Sequence, residues 1–152
     1  MKYLSVALLS VMIYSCSTPN KSNEQSAPVE DNTAIAEKPM VDSAYVFFKH
    51  PADGATVPSP VYIEMGVSGM QIEPAGAVKE GFGHHHVLIN QSSWPEGTVI
   101  PMSDSTIHYG KGQTDTTLEL EPGEYTISLQ FADGVHSSYG EKMAASITVT
   151  VE

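Results

Sequence analysis

The sequence predicts an all-β fold, an immunoglobulin-like β-sandwich of about seven short strands. Apolar and polar residues alternate in short runs, most clearly in VYIEMGV at 61–67 and EYTISLQF at 124–131, and a period of two residues is typical of strands. Turn signals rich in glycine and proline separate the runs about every 8–12 residues. Hardly any segment shows the apolar spacing of a helix.

The first half of the predicted domain contains three strands. AYVFFKH at 44–50 is rich in aromatic and β-branched residues, and the turn-forming segment PADGATVPSP at 51–60 separates it from the alternating strand at 61–67. Repeated glycines make 68–83 a loop, after which HHVLIN at 85–90 is a short apolar strand.

The second half begins with a long connection, QSSWPEGTVIP at 91–101. The segment TTLELEPGEYTISLQFADG at 116–134 has two alternating arms joined at Pro122-Gly123, and this pattern predicts a β-hairpin. The chain closes on SITVTVE at 146–152, in which the β-branched residues alternate again. The sandwich is expected to lack the immunoglobulin disulfide, because the sequence has one cysteine.

The first residues have the pattern of an export signal. Residues 1–15 contain Lys2 and then an apolar run of about a dozen residues, too short for a transmembrane helix but long enough for a signal-peptide core. The following Ile13-Tyr14-Ser15-Cys16 resembles a bacterial lipobox, so Cys16 is expected to carry lipid and to become the N-terminus after cleavage. The alternative is an ordinary cleaved peptide that leaves a free thiol.

The domain organisation follows from a change of composition. Residues 1–15 are read as the lipoprotein signal peptide, 16–43 as the lipidated cysteine and a flexible polar tether, and 44–152 as a single β-sandwich domain. The expected location is the cell envelope, outside the cytoplasm, on the periplasmic or outer-membrane face. The expected attachment to the membrane is the lipid on Cys16.

The charge of the chain excludes one class of partner. The sequence has no arginine, and after removal of residues 1–15 six lysines face eighteen acidic residues, a net charge of −12. Nucleic-acid binding requires clustered lysine and arginine, so no nucleic acid is expected as a partner. An acidic surface attracts cations, although it also serves simply to keep an exported protein soluble.

The stretch GFGHHHVLIN at 81–90 places three histidines in the predicted strand. Residues i and i+2 share one face of a strand, so His84 and His86 project together while His85 points to the opposite face. His108 ends another predicted strand, and His136 lies in the loop after the hairpin. Loops and strand ends meet at one end of a sandwich, so these four histidines are predicted metal ligands.

The chemistry of the candidate ligands limits which metal ions the site is expected to bind. Imidazole binds copper, zinc and nickel, and the thioethers of Met70 and Met102, as additional ligands, would favour Cu(I). His85 is a further possible ligand if its side of the strand faces the site. The alternative is structural, with histidines held by hydrogen bonds to loop carbonyls. If Val87 and Ile89 enter the core, His85 is expected to follow them, with His84 and His86 left outside.

Four motifs in order along the chain resemble an uncharacterised family of bacterial exported domains, a domain of unknown function. They are HPADGATVPSPVYIEMGVSGM at 50–70, GHHHVLIN at 83–90, IHYGKGQTD at 107–115 and LELEPGEYTISLQFADGVH at 118–136. The resemblance covers about Val46 to Val151. It implies that the histidines at 84, 85, 86, 108 and 136 are family positions and that His50 is not. Where the family often has a further histidine, this chain has Tyr139.

Together these patterns favour a membrane-anchored bacterial envelope lipoprotein that binds copper or zinc through its histidines. The alternative is a non-catalytic envelope module that binds or scaffolds protein or glycan, with structural histidines. Catalysis is not favoured, because GKGQT at 110–114 lacks the spacing of a phosphate-binding loop and no nucleophile elbow is present.

Overall fold

The computed structural model describes residues 43–152, and the predictions for the signal peptide, Cys16 and the tether lie outside this range. The described residues form an all-β fold with nine strands and one 3-10 turn at Glu141–Met143. The strands are β1 (Tyr45–His50), β2 (Ala55–Val57), β3 (Val61–Ser68), β4 (Gln71–Ile72), β5 (Phe82–Ile89), β6 (Thr106–His108), β7 (Asp115–Leu118), β8 (Gly123–Ala132) and β9 (Ala144–Val151). In this range no helix is long or apolar enough to cross a membrane.

The strands form the two sheets of a sandwich. The first sheet has the order β1-β3-β7, and the second has the order β2-β9-β8-β5-β4, with β6 also paired to β5. The order β1-β3-β7 facing β9-β8-β5 corresponds to the A-B-E and G-F-C strands of an immunoglobulin domain. The predicted fold class is therefore confirmed. The short strands β2 and β4 add to the expected strands in segments that were predicted to be turn and loop.

The prediction of a hairpin at 116–134 is wrong. Strand β7 pairs with β3 in the first sheet, whereas β8 pairs with β5 and β9 in the second, so the connection crosses between sheets. The Tyr125 hydroxyl donates to the carbonyl of Glu121 at 3.1 Å, which is the tyrosine corner typical of this connection in immunoglobulin folds. Alternation along both arms is equally compatible with crossing, because each arm still needs one buried face.

The main core lies between the two sheets and comes from the alternating residues of both. In the first sheet it includes Val46, Val61, Ile63, Met65 and Leu118, and in the second sheet Val87, Ile127, Leu129, Phe131, Ile147, Val149 and Val151. These side chains share one face of each strand, and their removal from water is the main favourable term of folding. The period-two pattern of the sequence therefore identified the core.

Strand β5 is buried on both faces, which the sequence did not predict. His85 and Val87 point into the main core with Phe131 as neighbour. His84 and His86 point to the other face, called here the outer face of the second sheet, and are 0% and 1% exposed. The expectation that His85 follows Val87 into the core and leaves His84 and His86 outside it holds. The sequence did not predict that His84 and His86 would nevertheless be shielded from water.

Two long connections cover the outer face: residues 90–105 between β5 and β6, and residues 133–143 between β8 and β9. Together they are called the cover. Leu88 packs there with Ile100 and Ala132, and Trp94 lies against them. The connections also bond to each other: the Gly97 N–H donates to the Ser138 carbonyl at 2.9 Å, and the Ser138 N–H donates to the Thr98 carbonyl at 2.9 Å. This cover removes His84 and His86 from water without placing them in the main core.

The side chain of Gln130 in β8 holds the two connections against the outer face of the second sheet. Its Oε1 accepts from the Trp94 N–H at 2.8 Å, and its Nε2 donates to the carbonyls of Gly140 at 2.9 Å and Met143 at 3.2 Å. The side chain is fully buried, so these bonds satisfy groups that are costly to leave unpaired. One amide therefore joins the second sheet to both connections.

Candidate metal centre

The pairing of β5 with β6 brings three histidines together. His84 and His86 lie on the same face of β5 because successive side chains alternate. In the antiparallel register of β6 against β5, His108 is the direct partner of His86. Side chains directly opposite on paired strands are neighbours. The ring nitrogens of His84, His86 and His108 consequently lie within 4.8 Å of one another, in a group that can hold a metal ion.

His136 reaches the same place from the loop after β8. The Asp133 carboxylate accepts from the N–H groups of Val135 and Ser137, each at 2.9 Å, and so shapes a tight turn. His136 has a φ of 69°, a left-handed conformation that is uncommon outside glycine and costs on the order of 1 kcal/mol. The turn holds His136 with its ring beside that of His108.

The four side chains meet through the same atom, Nε2. The Nε2 of His84 lies 3.1 Å from the Nε2 of His86 and 3.1 Å from the Nε2 of His108. The Nε2 of His136 lies 2.9 Å from that of His108. In a tetrahedral zinc site with Zn–N bonds of about 2.0–2.1 Å, neighbouring nitrogens are about 3.3 Å apart. These three spacings are a few tenths of an ångström shorter than that value. The ring nitrogens that all lie within 4.8 Å of one another are those of His84, His86 and His108, and His136 joins them through His108. We call the four residues the histidine cluster.

Hydrogen bonds between the rings do not account for this packing. A ring nitrogen carries either one hydrogen or one in-plane lone pair, so it makes one good hydrogen bond. The Nε2 of His84 and the Nε2 of His108 each face two other Nε2 atoms. The Nδ1 atoms of His84 and His86 are buried without a hydrogen-bond partner. A cation among the Nε2 atoms of His84, His86 and His108 would satisfy their lone pairs together.

The cluster holds its buried rings in the neutral form. Burial, together with the neighbouring histidines, lowers the pKa of His84 to about 4 and that of His86 to about 3. Burial and the nearby His136 also lower the pKa of His108. Desolvation and like charge both disfavour the protonated ring. Neutral imidazole is the form that binds a metal, so these rings are ready to act as ligands at neutral pH.

Gly110 makes room for the ring of His108. A side chain at this position would overlap the imidazole of His108 two residues earlier. The backbone of Gly110 lies outside the left-handed region that favours glycine. Its lack of a side chain therefore serves the placement of His108 rather than the shape of the turn.

The other two histidines lie away from the cluster. His85 is fully buried in the main core, where its ring meets the Phe131 ring edge-on at 5.1 Å and neither ring nitrogen has a hydrogen-bond partner. Burial lowers its pKa to about 4. His50 lies in the first sheet beside Tyr62, with ring centroids 5.7 Å apart. His85 as an additional ligand is not supported, because it projects from the opposite face of β5.

The two candidate methionines have different positions. Met70 is 8% exposed and belongs to the main core, so the structure does not bring it to the cluster. Met102 lines a pocket of about 290 Å³ together with Val99, Ile100, Pro101 and the cluster residues His86, His108 and His136. The pocket connects the cluster with solvent.

Sequence reasoning missed three residues on which the site depends. Gln130 and Asp133 occupy polar positions of an alternating strand and a turn, where solvent exposure is the ordinary expectation. From the sequence alone, Gly110 is interpreted as an ordinary residue of a turn. Only the fold shows that Gln130 holds the cover, that Asp133 shapes the His136 turn and that Gly110 admits the His108 ring.

Comparison with known proteins confirms the resemblance to an uncharacterised family. The family model described as Domain of unknown function (DUF4399) matches residues 63–152, which is more than half of the 152 residues of the chain. The matched segment begins within β3 and contains the whole histidine cluster. No curated protein and no solved structure matches the chain. The chain belongs to the DUF4399 family of domains of unknown function.

Proposed function

We propose that this protein is a lipid-anchored protein of the bacterial cell envelope that binds a transition-metal ion, copper or zinc, through the histidine cluster. The observation that carries the proposal is the set of Nε2–Nε2 contacts of 2.9–3.1 Å that link the four histidines. His84, His86 and His108 are the central ligands, and His136 is the fourth. Imidazole nitrogen is a preferred ligand of both metals.

The arrangement supports binding rather than catalysis. With His136 as the fourth ligand, protein atoms would fill all four positions around the ion, whereas catalytic zinc sites keep one position for water or substrate. The rings of His84 and His86 are fully buried, and those of His108 and His136 are partly buried beside the pocket. An ion held there is shielded from water but remains within reach of the pocket.

The anchor is the part of the proposal that depends on the sequence alone. The apolar run at 1–15 followed by Cys16 supports export and lipidation. The net charge of −12 without the signal peptide disfavours adhesion to anionic head groups, so the lipid would be the attachment.

A second candidate function is a binding or scaffolding module for protein or glycan. It is favoured by exposed aromatic rings on the outward side of the first sheet: Tyr45 is 51% exposed, Phe47 36% and Tyr62 44%. The rings of Tyr45 and Phe47 lie 5.8 Å apart. Aromatic faces of this kind are common in contacts with proteins and sugars. In this case the histidines would serve the fold alone.

Metal titration separates the two candidates. The full-length chain, purified in detergent and stripped of metal, is titrated calorimetrically with Zn(II) or Cu(II) at pH 7.5, and its melting is followed with each ion. A bound ion stabilises the folded state by about 2.7 kcal/mol when the free ion is one hundred times its Kd.

Single substitutions to alanine at His84, His86, His108 and His136 should each weaken binding, whereas His50→Ala serves as the matched control. If no metal binds or raises the melting temperature while the cluster variants destabilise the stripped protein, the histidines are structural. The binding or scaffolding module then becomes the leading function.

A further inference from the structure

The pocket beside the histidine cluster has a soft ligand atom at its mouth. Met102 is 79% exposed, the most exposed large hydrophobic side chain among residues 43–152. It lines the same pocket as His86, His108 and His136. A thioether and three imidazoles therefore border one cavity that opens to solvent.

The backbone on both sides of Met102 is held in place. The Thr106 hydroxyl donates to the carbonyl of Pro101. The Ser103 N–H donates to the Thr106 carbonyl at 3.1 Å, and the Thr106 N–H donates back to Ser103 at 3.3 Å. Before Met102, the Ile100 N–H donates to the carbonyl of His136 at 3.0 Å. The segment that carries Met102 is thus tied directly to a residue of the cluster.

Packing does not explain a methionine at this position. A side chain that remains 79% exposed obtains little stabilisation from removal of apolar surface from water. Met70, at 8% exposed in the main core, shows the ordinary use of the residue. What methionine offers at an exposed position, and leucine does not, is a polarisable sulfur that binds soft metal ions.

We infer that the ion bound by the cluster is copper as Cu(I), and that Met102 is the ligand through which Cu(I) passes between solvent and the histidines. The inference rests on the proposed metal-binding function. Thioether sulfur favours Cu(I), whereas imidazole accepts copper and zinc alike. Met102 therefore selects Cu(I) over zinc at the mouth of the pocket. The buried rings of His84 and His86 then retain the bound Cu(I) inside.

The test compares Cu(I) with Zn(II) in the metal-stripped, full-length chain under anaerobic conditions. Cu(I) is supplied as its complex with a coloured chelator, so both the rate of uptake and the affinity are read from the loss of colour. Met102→Leu keeps the size and apolar character of the side chain but removes the sulfur. Met70→Leu is the matched control, because it makes the same change in the main core.

Met102→Leu should slow Cu(I) uptake and weaken Cu(I) binding on the order of tenfold, with Zn(II) affinity unchanged. Met70→Leu should alter neither ion.

Other outcomes would overturn the inference in distinguishable ways. If Met102→Leu takes up and holds Cu(I) like the wild type, Met102 has no role and metal binding by the histidines still stands. If the variant loses Cu(I) and Zn(II) equally, the residue supports the pocket without selecting copper. If the wild type binds neither ion, the proposed function itself fails.

Discussion

His86 and His108 are direct partners across the antiparallel β5–β6 pair, and their rings stack with centroids 5.0 Å apart and planes inclined by 27°. His84 lies two residues before His86 on the same face of β5. Strand register therefore determines the relative positions of these three rings, whereas His136 depends on the turn at Asp133. A site built on paired strands is held more rigidly than one built on loops.

Gly110→Ala should weaken metal binding although it removes no ligand. The new methyl group would overlap the His108 ring, so the ring must move away from the cluster. We expect a loss of affinity on the order of 10–100-fold in calorimetric titration with Zn(II) or Cu(II).

Gly76→Ala is the matched control for Gly110→Ala. A Cβ at Gly76 would meet only the Pro74 carbonyl, at 4.0 Å, and its φ is not in the left-handed region. Equal affinities of Gly110→Ala and the wild type would show that the position of the His108 ring does not matter for the metal.

The metal-free protein should lose stability in mild acid. The pKa values of His84 and His85 are lowered to about 4 and that of His86 to about 3, whereas histidines of the unfolded chain have a pKa of about 6.5. Below that pH the histidines of the unfolded chain bind protons, whereas the same buried histidines of the folded chain remain neutral. The free energy of unfolding therefore falls as the pH is lowered from about 6.5 to 4. Above about pH 6.5 these groups are neutral in both states and contribute no pH dependence.

Urea unfolding of the stripped protein at several pH values measures this slope, which reaches about 1.4 kcal/mol per pH unit for each such histidine. His85→Leu should flatten the slope and leave metal binding intact, because His85 lies on the core face of β5. A slope that His85→Leu does not change would contradict the assignment of a neutral, buried His85.

Gln130→Leu should destabilise the fold and loosen the cover of the outer face. The change leaves the Trp94 N–H without its acceptor and removes a donor from the carbonyls of Gly140 and Met143. The Gly140 carbonyl keeps only the Met143 N–H. We expect the free energy of unfolding to fall by about 1–3 kcal/mol in urea melts. The control is Gln71→Leu at an exposed position of β4, which should change stability by about 0.5 kcal/mol or less. Similar effects of the two variants would mean that Gln130 does not hold the cover.

Cys16→Ser should release the protein from the membrane fraction without changing the melting temperature of the folded part. The prediction rests on Cys16 being the single cysteine, directly after an apolar run. Mass spectrometry of the wild type from bacterial membranes should show a lipid-modified N-terminal cysteine. A wild-type product that carries no lipid, or a variant that remains in the membrane fraction, would exclude the anchor.

The sequence alone indicated the fold class, the core face of strands β3, β8 and β9, and the histidines that the structure brings together. Alternation in 61–67, 124–131 and 146–152 reports which side chains are buried, because the strand period is two. The same period predicted that His84 and His86 lie on one face of their strand and that His85 lies on the opposite face. These conclusions depend on local geometry, which the order of residues carries directly.

Only the tertiary structure decided how distant segments meet. It showed that 116–134 crosses between sheets, that loops bury His84 and His86, and that Met102 rather than Met70 borders the cluster. Alternation along a strand does not specify which strand will be its neighbour or what covers its second face. Pairing and cover depend on contacts between residues far apart in the chain, such as Gln130 with Trp94, and a local pattern contains no information about them.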